Sequence, residues 1–537
     1  MFFIYNTKYD FAKHVKTYSA SGTNKMLDYA FRSKFAAICR LSFASGTSCN
    51  MKILMRFIPQ LEAAMSTGIF DVTKYGVLGD AKTNNTKAIK AVVEQAEKNG
   101  GGTIYFPPGE YVTGSIEIKS NMTLYLESGA VILASENPND YPIVDDTVIK
   151  GWRNITHSGI VKAYNCENIS IRGRGKIDGR GQNWWHDTGE HRPRTLQLIS
   201  CRNILIEGIT IVNSPMWTVH PICSDNVTIT GITIKNPANS PNTDGINPEG
   251  CSNVHISNCH IDVGDDCITL KSGTQDDLFI KQHACENITI TNCTMVNGHG
   301  GVVIGSEMSG GVKNVTISNC VFCGTDRGIR IKTRRFRGGV VEDIRINNLI
   351  MTDVFCPIVI NGFYKCGCKE DELARASSLE KLPLVDSTPL FKNFYISNVT
   401  ARNVVAAACY MYGIPESPIE GVTIDNFVVD MSKTATEPKE PAMTFHDSSM
   451  LGKGIKLTNV KDVTIKNLRI STRDDSAVSI SNSEQISIDG IIVNDLNKSI
   501  PAIKLENTND VYIACGRLAE KIEKVVEQTN CSGVTVK

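Results

Sequence analysis

The sequence predicts an all-β fold, a single-stranded parallel β-helix with a short capping helix ahead of it. Three observations carry this. One strand-like phrase recurs along most of the chain, a second strand follows it at a near-constant offset, and helical periodicity is confined to one short stretch.

The phrase is Asn or Asp, then Ile or Val, any residue, Ile, any residue, Asn or Gly. It reads NISIRG at 168, NILIEG at 203, NVTITG at 226, NVHISN at 253, NITITN at 287 and NVTISN at 314. Looser versions are DIRINN at 343, NFYISN at 393, GVTIDN at 421, DVTIKN at 462 and QISIDG at 485. Each alternates with period two and ends on a turn residue, as a half-buried strand does. β-Branched residues suit its pleated surface. Repeats lie 23 to 50 residues apart, mostly 23 to 35, which is one solenoid coil with loops of varying length. Asn belongs at the strand ends because it tolerates left-handed φ and bonds its own backbone at a turn. The N-x-S/T triplets this creates, such as NVT at 226 and 314, therefore read as turn residues rather than glycosylation sites.

Thirteen residues after the first apolar residue of the phrase, a second strand opens at Trp217, Cys267, Gly301, Gly328 and Pro357. These begin WTVH, CITL, GVVI, GIRI and PIVI. The coil starting at Val227 departs from the rule. Its equivalent, GINP at 245, comes 18 residues on, with the extra residues inside KNPANSPN. A loop that leaves a strict register is a place to look for function.

Ahead of the repeat, NTKAIKAVVEQAEKNGG at 85–101 has helical spacing and a Gly stop, followed by the strand-like GTIYFPPGEYVTG. A solenoid must cover its open end, and this helix predicts a cap at about 68–110. Residues 67–537 are then one elongated catalytic domain. Residues 1–66 carry nine Lys or Arg against three Asp or Glu and no sustained period. They read as a leader or an extension foreign to the fold, and MKILMRFIPQL at 51–61 makes a poor signal peptide.

Composition narrows the function. The net charge is zero over 537 residues, which removes the bulk electrostatic case for nucleic acid or an anionic membrane. No stretch of 18 apolar residues suggests a membrane span. The 18 cysteines are too dilute for a disulfide scaffold, and CGC at 366–368 is too tight for zinc-finger spacing. Cys201, Cys251, Cys259, Cys267, Cys293 and Cys320 fall at or beside similar places in the repeat, as small fillers of a stacked interior would. Mostly free thiols and a cytoplasmic location are expected, with secretion the alternative.

Aligning coils by their second strands gathers the chemistry. Asp244 of NTDG and Asp266 of GDDC share a slot, and Asp265 lies one earlier. His299 of GHGG takes the slot of Asp265 one coil on. Arg330 and Lys332 lie on the outward parity of the next coil, with Thr269 and Lys271 in matching columns. Coils stack about 4.8 Å apart, so these groups converge on one face. A lone Asp would be a solvated turn residue. Three in register with a His and two cations are costly unless used, and crowding raises at least one carboxyl pKa, as a general acid requires. The cations point to an acidic substrate.

NTDG, GDDCITLKSG, GHGG and RIK occur in the order found in the glycoside hydrolase family 28 polygalacturonases, which the chain resembles. The resemblance includes IRGRGKIDGRGQNWW, RPRTLQLISCRN, SPMWTVHP, GSEMSGG and TRRFRGG, spans about 68–430, and is strongest to bacterial, often exo-acting, members. It implies a right-handed, pectin-lyase-like parallel β-helix that hydrolyses α-1,4-galacturonosyl linkages of pectin or its oligomers with inversion, without metal or other cofactor. It implies Asp265 as general acid, Asp244 and Asp266 as the pair holding water, and His299 as the residue tuning the acid. Arg330 and Lys332 would clamp the uronate carboxylate, with Lys271 beside them and Asn242 supporting substrate or water.

Other readings stay open. They are family 28 action on rhamnogalacturonan or xylogalacturonan, a calcium-dependent pectate lyase, and a non-catalytic β-helical glycan-binding protein. In the wider cleft, Arg334, Arg335 and Arg337 are candidates for further uronates. Trp184, Trp185 and Trp217 are candidates for stacking sugars, and Tyr410 and Tyr412 for a cleft wall.

Overall fold

The computed structural model describes residues 68–144, 156–186, 191–473, 475–494, 499–514, 522 and 524–537. The leader expected at 1–66 lies outside them. Every coil presents its repeat phrase as a strand paired in parallel with the coils before and after it. Ile204, Val227, Val254, Ile288, Val315, Ile344, Phe394 and Val422 form one continuous column of register partners. All are buried, so alternation in sequence becomes a stack of apolar rungs inside the helix.

The Asn residues at the phrase do what turn chemistry demands. Asn203, Asn226 and Asn314 have φ of 56°, 54° and 55°. Each amide also donates to the Asn one coil earlier, Asn226 to Asn203 at 2.8 Å and Asn314 to Asn287 at 3.1 Å. The NVT asparagines are thus rungs of a ladder. The thiols of Cys201 and Cys251 likewise donate to carbonyls of the preceding coil, Ala163 at 3.4 Å and Pro221 at 3.3 Å. All cysteines among the described residues are free thiols.

Helix α1 (Thr86–Lys98) buries Ile89, Val92, Val93 and Ala96 on one face. It ends as the sequence predicts: Gly100 takes φ of 84° and the Gly101 amide returns to the Ala96 carbonyl at 2.9 Å.

The second strand of each coil builds the sheet that carries the site. Its central members are β1 (Val219–Ile222), β2 (Ile268–Leu270), β3 (Val302–Gly305), β4 (Arg327–Lys332), β5 (Cys356–Asn361) and β6 (Ala407–Tyr412). Between β1 and β2 the GINP coil gives only isolated bridges, at Ile246 and Glu249. Pro248, midway, has no N–H for the ladder. The sheet is therefore interrupted beside Asp244.

Candidate active site

The register fixes which side chains meet. Ile246 pairs with Ile268, Ile268 with Val302, and Val302 with Ile329. Counting back two residues puts Asp244, Asp266, Gly300 and Arg327 in one column. Counting back three puts Asp265, His299 and Asp326 in the next. Asp265 and Asp266 occupy the bend between strand His260–Val263 and β2, not a strand. The slots expected from sequence are therefore met, and Asp326 is an addition to them.

One carboxylate oxygen each from Asp244, Asp265 and Asp266 lie within 4.8 Å of one another. Their surroundings differ sharply. Asp266, 1% exposed, accepts from Arg330 Nη1 at 2.9 Å and Lys332 Nζ at 2.7 Å. Burial works to raise its pKa, but Lys332 and Arg330 overcome it and hold the carboxyl well below the usual range. Asp244, also buried, accepts only from neutral groups, Asn247 Nδ2 at 2.8 Å and Thr269 Oγ1 at 3.4 Å. Burial and the Asp265 charge push it up to about 8, against the pull of Lys271.

Asp265 is half-buried. Burial, then Asp266, raises its pKa, opposed by Lys332, His299 and Arg330. Asn242 Nδ2 lies 3.5 Å from its Oδ2. His299 is exposed, its amide donates to the Asp265 carbonyl, and its Nδ1 lies 2.8 Å from Asp326 Oδ2.

Arg330 belongs to the coil after next from Asp266 and must reach back across Gly300. A Cβ at Gly300 would lie 3.2 Å from both Arg330 Cδ and Asp266 Oδ1. A small residue in that slot is a condition of the ion pair. Lys271 is tied to Glu307 at 2.9 Å and sits 4.7 Å from the Trp217 ring centroid.

Sequence reasoning missed Arg192, which is buried and donates from Nη2 to Asn242 Oδ1 at 2.7 Å. It also grips the Pro215 and Pro241 carbonyls at 3.0 and 2.8 Å, fixing the irregular loop that carries Asn242. No repeat register reaches Arg192 from sequence. Asp326 was legible, because it lies in the Asp265 slot two coils on.

The sequence model described as "Glycosyl hydrolases family 28" matches residues 147–444, more than half of the chain and every residue of this cluster. The chain belongs to this family. It is a glycosidase, and its fold is the right-handed parallel β-helix expected from sequence. A "Probable polygalacturonase" of Vitis vinifera is 31% identical over 446 residues, covering 80% of this chain and 88% of that protein. An exopolygalacturonase of Zea mays is 28% identical over 385 residues, covering 68% and 85%. Among solved structures, a hyperthermoactive exopolygalacturonase from Thermotoga maritima matches with TM-score 0.59 and 29% identity, covering 68% of this chain and 87% of that one.

In this family 28 chain the wider groove is built differently from the sequence expectation. Arg335 is buried in a two-bond fork with Glu416, at 2.5 and 2.7 Å. Arg334 donates to the Cys366 and Gly367 carbonyls, and Arg337 lies 3.7 Å from Glu307. Arg334 and Arg335 thus hold loop carbonyls, and all three side chains are buried. Trp184 packs edge-on against Tyr141 and His157, while Trp217 stands between Arg194 and Lys271. Tyr410 is buried, its hydroxyl donating to Asp447 at 2.8 Å. Among the described residues no helix is long and apolar enough to cross a membrane.

Proposed function

We propose that the chain is a polygalacturonase, hydrolysing α-1,4-galacturonosyl linkages of polygalacturonate or its oligomers. The observation that carries this reading is the split among three clustered aspartates, one pinned as an anion and two pushed toward the protonated form, beside a buried Arg–Lys pair. Asp265 is the general acid: it is the accessible member and its pKa is raised. A proton on Asp265 removes the like charge facing Asp244 and leaves Asp244 and Asp266 as the anions that hold and activate water. His299 tunes the acid. Arg330 and Lys332 share their charge between Asp266 and a uronate carboxylate, with Lys271 and Asn242 completing the subsite.

Exo action is part of the proposal. A segment at 440–447 lies against the Arg330 end of the site. Arg327 donates to the Glu440 and Pro441 carbonyls, Arg330 Nη2 approaches Met443 Sδ at 2.9 Å, and Asp447 takes the Tyr410 hydroxyl. A segment packed against that end suits release of short products, as does the likeness to exopolygalacturonases. The free thiols among the described residues support a cytoplasmic location, where imported oligomers would be the substrate.

The test is mass analysis of early products from polygalacturonate. Monomer or dimer alone supports the proposal, and a random ladder overturns exo action. Unsaturated products, or loss of activity in EDTA, would indicate a calcium-dependent lyase instead. Cleavage confined to rhamnogalacturonan or xylogalacturonan would overturn the substrate. Binding of polygalacturonate without turnover would indicate a glycan-binding protein.

A further inference from the structure

Asp326 lies in the column of Asp265 and His299, one coil beyond His299. Its Oδ2 sits 2.8 Å from His299 Nδ1 and accepts from Arg327 Nη1 at 3.0 Å. Arg327 is anchored from behind, its Nε to the Pro441 carbonyl at 3.2 Å and its Nη2 to the Glu440 carbonyl at 2.7 Å. The Asp326 amide is fixed as well, donating to the Gly298 carbonyl at 2.9 Å. The carboxylate is therefore held on both its backbone and its side chain, and it presents one oxygen to the imidazole.

We propose that Asp326 is a positioning residue of the catalytic centre, fixing the tautomer and charge of His299 beside Asp265. The inference rests on the polygalacturonase reading of the site. A carboxylate on Nδ1 places the N–H there and leaves Nε2 as the titrating nitrogen. It also favours the imidazolium. A cationic His299 lowers the cost of charge on Asp265 once the acid has given up its proton, and it limits how far burial raises the acid's pKa. Asp326 acts only through His299 and touches no reacting atom.

The charges around His299 are accounted for. Asp265 and Asp266 face it from the preceding bend, Asp326 from the following coil, Arg327 stands behind Asp326, and Arg330 Nη1 lies 3.5 Å from the His299 carbonyl. The Asp326 hydrogen bond is the largest influence on the imidazole. It raises the pKa against the lowering effect of burial, with Asp265 and Asp266 adding to it.

The test is Asp326→Asn, which keeps the shape and the acceptor but removes the charge. The His299 titration is followed by NMR on histidine-labelled protein, and kcat/KM is followed against pH on polygalacturonate. The expected result is a lowered His299 pKa, as the charge that raises it is gone, and an alkaline limb of activity moved down in pH. Activity near neutrality should fall about tenfold, mostly in kcat. In a His299→Gln background, Asp326→Asn should add no further kinetic loss. Asp326→Glu should restore the titration in part. An unchanged His299 titration in folded Asp326→Asn overturns the proposal, as does a full additional loss in the His299→Gln background. The NMR readout needs no substrate. Wild-type protein that failed to cleave polygalacturonate would overturn the functional reading, and the titration would still decide the role of Asp326.

Discussion

Asp244 and Asp266 occupy the same position in successive coils and hold opposite protonation preferences. Asp266 receives Lys332 and Arg330, and Asp244 receives an amide and a hydroxyl. Removing the Asp266 charge leaves two buried cations without their carboxylate. Asp266→Asn should therefore lose about 3–5 kcal/mol in a denaturant titration. Asp244 works the other way. Its pKa rises on folding from 3.8 to about 8, so the folded state binds the extra proton between those values. Stability should fall as pH climbs through that window, and Asp244→Asn should flatten the slope.

Asp265→Asn should keep the fold and lose catalysis. The substitution removes the ionisable proton but preserves volume and the reach of Asn242. A loss of about 10²–10⁴-fold in kcat is expected, the usual worth of a positioned general acid. Reducing-end release from polygalacturonate measures it, with the thermal midpoint as control. Wild-type turnover in this variant would remove Asp265 from the mechanism.

Arg335 separates a loop anchor from a substrate contact. Its guanidinium is committed to Glu416 and to the Arg375, Ser378 and Glu380 carbonyls. Arg335→Ala should destabilise the protein by about 3–5 kcal/mol, as breaking a buried ion pair does. KM for polygalacturonate should stay unchanged in the folded fraction. A tenfold rise in KM without loss of stability would place the side chain in the groove after all.

What was legible in sequence was whatever repeats. The strand phrase, the Asn turns and the slots of Asp244, Asp265, Asp266 and His299 follow from counting residues along coils, because parallel in-register stacking turns sequence offset into position. Asp326 obeys the same count and was overlooked. Arg192, Glu307 and Glu416 obey no count, since they sit in loops whose lengths vary from coil to coil. The destination of Arg334, Arg335 and Arg337 was hidden for the same reason. Three cations after RIK look like a basic track until the partner carbonyls and carboxylates, from residues 307 to 416, are folded against them.

Gly300 tests the close approach on which the ion pair depends. An added methyl would sit 2.5 Å from Val303 and 3.2 Å from both Asp266 and Arg330. Gly300→Ala should cost about 1–3 kcal/mol, the usual penalty of overpacking. It should also lower kcat, because Arg330 is displaced from Asp266. If Gly300→Ala keeps both the thermal midpoint and kcat, the slot has room to spare and the smallness of the residue is incidental.

The stereochemical outcome sets family inference against distance. Inverting glycosidases separate their two carboxyl groups by about 6.5–9.5 Å, and retaining ones by about 5 Å. Here all three aspartates, Asp265 included, approach within 4.8 Å oxygen to oxygen, so spacing alone resembles the retaining case. Pairing Asp244 with Asp266 on the water side does not relieve this, because Asp265 also brings an oxygen within 4.8 Å of them. The charge pattern argues for inversion. Asp266 is engaged by both Lys332 and Arg330, which makes it a poor nucleophile, while Asp244, freed of its proton when Asp265 holds one, has the raised basicity of a group that takes a proton from water. A water held between two such groups is the better attacker. The first product from an α-linked substrate should then be the β-anomer, seen by ¹H NMR before mutarotation. An initial α-anomer would require a covalent intermediate on one of the three, and trapping it would show which.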